Sequence, residues 1–250
     1  MPRTKLIAGN WKMYKTPDQT RGFFHAFLPL VAGHTRDEIL VCPPFIDLHA
    51  ALESAKGSNV MVGSQNIHWA GEGAFTGEIS PIVLLAIGVT HCIIGHSERR
   101  QYFGETDDTV NLRLKTALET GLTPVVCVGE VLEEREANLT EDVLRRQCAR
   151  AFHKISTKKA DKLVVAYEPV WAIGTGKTAT PQMASSAHAL IRGEAAKTFG
   201  VEFAAQLRIL YGGSVKPENA KALMSESEID GALVGGASLD PKSFAAIVNY

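Results

Sequence analysis

Eight short runs rich in Val, Ile and Leu recur along the chain: KLIAGNW, ILVCPP, VMVGSQN, HCIIGHS, TPVVCVGE, LVVAYEP, LRILYGG and GALVGG. Each has the length of a fully buried strand and lacks the polar alternation of a strand with one wet face. Their starts lie roughly 20 to 45 residues apart, the room that one crossover helix needs. Helical patterns fill most of the gaps. TDDTVNLRLKTALETG has Thr106 as its N-cap and Gly121 as its stop. PQMASSAHALIRGEAAKTFG starts on Pro181 and closes on Gly200. Eight strands alternating with helices predict an α/β fold, a single-domain (β/α)8 barrel over residues 1–250. A doubly wound open sheet is the alternative. No linker, low-complexity segment or charge block divides the chain.

The length of 250 residues suits one or two domains, and α/β barrels reach it as one. A formal net charge of -1 argues against nucleic acid or an anionic membrane as the main partner. The opening MPRTKLIAGNW lacks the long apolar core of a signal peptide, and no apolar run approaches the ~20 residues of a membrane span. Cys42, Cys92, Cys127 and Cys148 are far apart and form no CxxC pair, so neither zinc nor a disulfide framework is indicated. Reduced thiols in a soluble cytoplasmic protein are the simplest expectation.

A barrel builds its active site at the C-terminal ends of its strands. Those ends carry Asn10 and Lys12, His96 and Glu98, Glu168, Gly212-Gly213-Ser214, and Gly235-Gly236. Glycine pairs after the seventh and eighth strands let the backbone approach an anion, as phosphate sites in barrels require; one such pair alone would be a tight turn. Glu168, ending the sixth strand before Pro169, is a candidate general base, with a strand-end ion pair as the plainer reading. His96 precedes a short helix opened by Ser97 and Glu98, and a helix N-terminus favours a neutral imidazole that donates a hydrogen bond. Lys12 at the mouth would offset negative charge on a substrate. The other histidines, His25, His34, His49, His68, His91, His153 and His188, lack metal-ligand spacing. Together these groups suit proton abstraction beside a carbonyl in a small phosphorylated substrate, with no cofactor or metal required.

YEPVWAIGTGKTA, from Tyr167, ends like a P-loop, but the position that must be glycine is Trp171, so that reading fails. The same stretch, with GNWKM at 9–13, GHSERR at 95–100, YGGSV at 211–215, GALVGGASL at 231–239 and the GAFTGEIS run ending at Ser80, closely resembles the triosephosphate isomerase family. The matches span nearly the whole chain. The resemblance implies a TIM barrel that interconverts dihydroxyacetone phosphate and D-glyceraldehyde 3-phosphate, in glycolysis and gluconeogenesis. By position it makes Glu168 the base, His96 the electrophile, and Lys12 and Asn10 substrate-binding groups. Gly174, Ser214, Gly235 and Gly236 become phosphate contacts, with Ser97, Glu98 and Cys127 in support and Glu98 beside Lys12.

The resemblance also implies a homodimer, with Phe75 and Thr76 of the third loop reaching the partner and Thr76 crossing to its site. Pro169 and Trp171 are expected to stiffen the start of a lid, Gly174 and Gly176 to give it special backbone angles, and Lys177, Thr178 and Ala179 to form its exit hinge. Tyr14, where many relatives have asparagine, is expected to face away from the chemistry. A Schiff-base aldolase would need a lysine deep on a strand, and a non-catalytic phosphate binder would not need all of Lys12, His96 and Glu168.

Overall fold

The structure is a computed structural model and describes residues 3–174 and 178–250. Each apolar run is a parallel strand: β1 Leu6–Asn10, β2 Glu38–Cys42, β3 Val60–Ser64, β4 His91–Ile94, β5 Thr123–Val128, β6 Val164–Tyr167, β7 Arg208–Tyr211 and β8 Gly231–Val234. They pair in sequence order, and β1 closes on β8 with Leu6 opposite Gly231, so the sheet is a closed barrel. The open doubly wound sheet is thereby excluded.

The lack of polar alternation has a direct cause. Alternate side chains of one strand enter two different cores. Leu6 and Ala8 join Leu40, Val125, Val164 and Leu210 inside the barrel, while Ile7, Ile39 and Val41 pack outward against the helices. Both faces are dry, so both must be apolar.

The helices begin and end on the expected residues. Thr106 accepts a hydrogen bond from Thr109 N and caps Asp107–Thr120, which stops at left-handed Gly121. Thr180 caps Pro181–Phe199, and Gly200 ends it. Six-residue Val201–Gln206 follows at once, a helix too short to show a 3.6-residue period in the sequence. At the N-terminal end of the barrel, Asp230 is paired with Arg3 and Arg192 and accepts a hydrogen bond from Ile209 N. That end is built for stability, which leaves the opposite rim for chemistry.

Candidate active site

Asn10 ends β1, and Lys12 follows the sharp exit of the strand. Lys12 has a left-handed φ of 52°, an arrangement that costs a non-glycine residue energy unless its surroundings impose it. Asn10 Oδ1 accepts the Lys12 N–H at 3.0 Å, and Gln65 Nε2 donates to the Lys12 carbonyl at 2.8 Å and to that of Cys42 at 2.9 Å. So held, the Lys12 ammonium meets Glu98 Oε1 at 2.6 Å.

His96 is the N-cap of the helix Ser97–Tyr102, and its Nδ1 accepts the Glu98 N–H at 3.2 Å. That assigns the ring proton to Nε2. His96 Nε2 lies 2.9 Å from Glu168 Oε1, while Ser97 N donates to Glu168 Oε2 at 2.9 Å. Glu168 is 2 % exposed and His96 6 %. Burial alone would push the Glu168 carboxyl up, but His96 and the Ser97 N–H outweigh it and hold the group below its ordinary range. For His96 burial works to lower the pKa, and the Glu168 carboxylate overrides it and raises the imidazole. In this resting arrangement base and imidazole are partners to each other.

Two glycines make room for Glu168. A Cβ on Gly129 would lie 1.8 Å from the Glu168 carbonyl oxygen, and one on Gly212 would lie 2.8 Å from its Cγ. The Cys127 thiol is pushed well above its ordinary range, first by burial and then by the neighbouring Glu168 carboxylate, so it stays a neutral thiol.

Asn10, Lys12, His96, Glu168, Gly174, Ser214, Gly235 and Gly236 all line one cavity of about 330 Å³ at the C-terminal ends of the strands. Ser97, Glu98 and Cys127 border a larger cavity of about 760 Å³ that also reaches Glu168. Phe75 and Thr76 stand elsewhere, exposed on the third loop. The base of that loop is fixed: Arg113 Nε donates to the Ile67 carbonyl at 2.8 Å, and Thr116 Oγ1 donates to that of Trp69 at 2.6 Å.

Gly174 has a φ of 69°, a left-handed angle of the kind expected there. Trp171 Nε1 donates to the fully buried Glu130 carboxylate at 2.9 Å, and Tyr167 Oη donates to the same group at 3.1 Å. Gly176 and Lys177, expected in the lid and its hinge, lie outside the described residues. Tyr14 was expected to face away from the chemistry. It is 58 % exposed and borders both the 330 Å³ cavity and a separate groove beside Gln19, Phe23 and Pro241.

Sequence reasoning missed Gln65, Glu130 and Lys216, which also lines the cavity. The first two stand just beyond β3 and β5, where the strand-end rule that found Lys12 and Glu168 would have flagged them too.

Fold and cavity define the class: a (β/α)8-barrel enzyme with acid–base side chains facing a small cavity at the rim. The family model described as triosephosphate isomerase matches residues 5–250. A triosephosphate isomerase of Solibacter usitatus is 58% identical over 248 residues, covering 99% of this chain and 100% of the relative. That of Geobacter metallireducens is 53% identical, covering 99% of each chain. That of Caldanaerobacter subterraneus subsp. tengcongensis is 52% identical, over 99% of this chain and 100% of its own. The chain belongs to the triosephosphate isomerase family, and its reaction is the glycolytic interconversion of dihydroxyacetone phosphate and D-glyceraldehyde 3-phosphate.

Proposed function

We propose that Glu168 is the base of this isomerisation, His96 its electrophile, and Lys12 and Asn10 the groups that bind the reacting end of the triose phosphate. The observation that carries the assignment is the contact of the Glu168 carboxylate with His96 Nε2 in the wall of a cavity also lined by Lys12. Substrate displaces the carboxylate from the imidazole. Glu168 then takes a carbon-bound proton from the carbon next to the carbonyl and returns it to the neighbouring carbon. The Nε2–H of His96 and the Lys12 ammonium stabilise the oxygens of the intervening enediolate. His96 gives its Nε2 proton to the former carbonyl oxygen and takes one back from the neighbouring hydroxyl, so the oxygen proton moves as the carbon proton does. Once Glu168 has left, the Glu98 N–H on Nδ1 favours the neutral imidazole with its proton on Nε2. Backbone N–H groups at Gly174, Ser214, Gly235 and Gly236 hold the phosphate. Glu98 steadies Lys12, while Ser97 and the neutral Cys127 thiol steady Glu168.

The whole chain acts as one domain and as a homodimer in the cytoplasm, with Phe75 and Thr76 at the partner's site. Half-exposed Phe75 and four buried free cysteines support this. Among the described residues no helix is long and apolar enough to cross a membrane.

The test is isomerisation by purified protein and by Glu168→Gln, which keeps shape but removes the base. The expected loss in kcat is about 10²–10⁴-fold. A variant as fast as the wild type removes Glu168 from the role.

A further inference from the structure

Lys216 was in no set of expected site residues, yet it lines the cavity with Gly213, Ser214 and Val215. Its backbone is fixed. Lys216 N–H donates to Asn219 Oδ1 at 2.8 Å, and Asn219 Nδ2 donates to the Ser214 carbonyl at 3.0 Å, so one side chain clamps both residues at the start of the helix Pro217–Met224. The Lys216 side chain is exposed at the rim, and among the described residues its ammonium has no hydrogen-bond or ion-pair partner. Lys12, the other cavity-lining cation, is already paired with Glu98 at 2.6 Å.

The charges around the cavity decide what Lys216 does there. Once the substrate has drawn Glu168 off the neutral His96, Lys12 and Lys216 together cancel Glu98 and Glu168. Without Lys216 the site carries one net negative charge and must attract a phosphate dianion. An unpaired cation at the rim acts at distances of about a Debye length, roughly 8–10 Å at moderate salt, before any hydrogen bond forms.

We propose that Lys216 captures the substrate phosphate, drawing the dianion to the backbone cradle at Ser214, Gly235 and Gly236 without taking part in proton transfer. This rests on the cradle assigned under the proposed function. It makes Lys216 a determinant of kcat/KM for phosphorylated trioses and leaves kcat unaltered.

The experiment measures kcat/KM against ionic strength for the wild type, Lys216→Gln, Lys216→Glu and Lys216→Arg, with inorganic phosphate as a competitive inhibitor. D-glyceraldehyde, which lacks the phosphate, is the control substrate. At about 10 mM salt we expect Lys216→Gln to lose about threefold in kcat/KM and Lys216→Glu about tenfold, the losses shrinking towards 0.3 M as screening grows. Lys216→Arg restores the wild-type value, the inhibition constant for phosphate weakens in the same order, and glyceraldehyde turnover and melting temperature stay unchanged. Wild-type kcat/KM and salt slope in the Gln and Glu variants, with phosphate still inhibiting, overturn the role of Lys216 alone. A wild type that phosphate does not inhibit competitively overturns the cradle and this proposal with it. Equal losses on glyceraldehyde also overturn it, because capture of a phosphate cannot slow a substrate that has none.

Discussion

Lys12 shows what a sequence conveys about a single residue and what it leaves out. Its charge and its place after β1 were legible. Its left-handed φ was not, because an Asn two residues earlier is compatible with either sign of that angle and the remaining support comes from distant Gln65. That angle is imposed from outside by Asn10 Oδ1 and by Gln65 Nε2. Replacing Gln65 with Leu keeps the volume and removes the donor. We expect a stability loss of about 1–2 kcal/mol by chemical denaturation and a fall in kcat/KM of about ten- to a hundredfold, since a misplaced binding group is costly. A variant that loses stability but keeps kcat/KM would make Gln65 a structural residue only.

The Glu168–His96 pair carries a second prediction at this scale, and its sign follows from the two shifts. Glu168 is lowered on folding, so its contribution to stability is complete above its unfolded value of about 4.3 and fades as pH falls through the lower folded value. His96 is raised, so its contribution is complete below about 6.5 and fades as pH rises through the higher folded value. The stability difference between the wild type and Glu168→Gln should therefore peak between about pH 4.5 and 6.5. Unfolding curves from pH 3 to 9 that give a flat difference would show that the two groups do not interact in the resting enzyme.

Strands and long helices were the most legible elements, for a physical reason in each case. A strand buried on both faces leaves a continuous apolar run, and a long helix carries its own start and stop in Thr106 and Gly121, or Pro181 and Gly200. Short helices such as Pro81–Ala86 and Leu132–Glu136 span too few turns to establish a period. Contacts between loops are less visible still. The loop after β5 touches the loop after β6 through Gly129, whose missing Cβ leaves space for the Glu168 backbone, and through Glu130, which holds Tyr167 and Trp171. Gly129→Ala must move one loop or the other, because the new Cβ would sit 1.8 Å from a backbone oxygen. We expect a stability loss of about 1–3 kcal/mol or more, with kcat falling beyond what the folded fraction explains. An Ala variant with wild-type melting and kcat would show that the two loops have slack that the close approach does not suggest.

At the scale of the molecule, the number of strands and their order followed from counting apolar runs, whereas the distribution of exposed apolar surface had to be seen. Met13 is 93 % exposed, Ile46 78 %, and Tyr102 and Phe103 66 % each, with Phe75 at 44 %. They lie in the connections after β1, β2, β4 and β3, four strands that are consecutive around the barrel, so they occupy one side of the rim, whereas Val201, 74 % exposed, lies apart from them between β6 and β7. Single exposed apolar residues need no explanation, but a set gathered on one side does. A second copy of the chain is the occupant we propose, and a stable interface needs about 800 Å² from each partner. The third loop is suited to the contact because Arg113 and Thr116 fix its base while Phe75 and Thr76 stay exposed. Sedimentation of the wild type should give twice the chain mass, and Met13→Asp combined with Phe75→Asp should give the single chain. Activity decides whether assembly matters to the site. If Thr76 of each copy supports the other's Lys12 and His96, the separated variant loses most of its kcat while remaining folded. A monomer with full kcat would confine the interface to stability, and a wild type that sediments as a single chain at micromolar concentration would remove the dimer altogether.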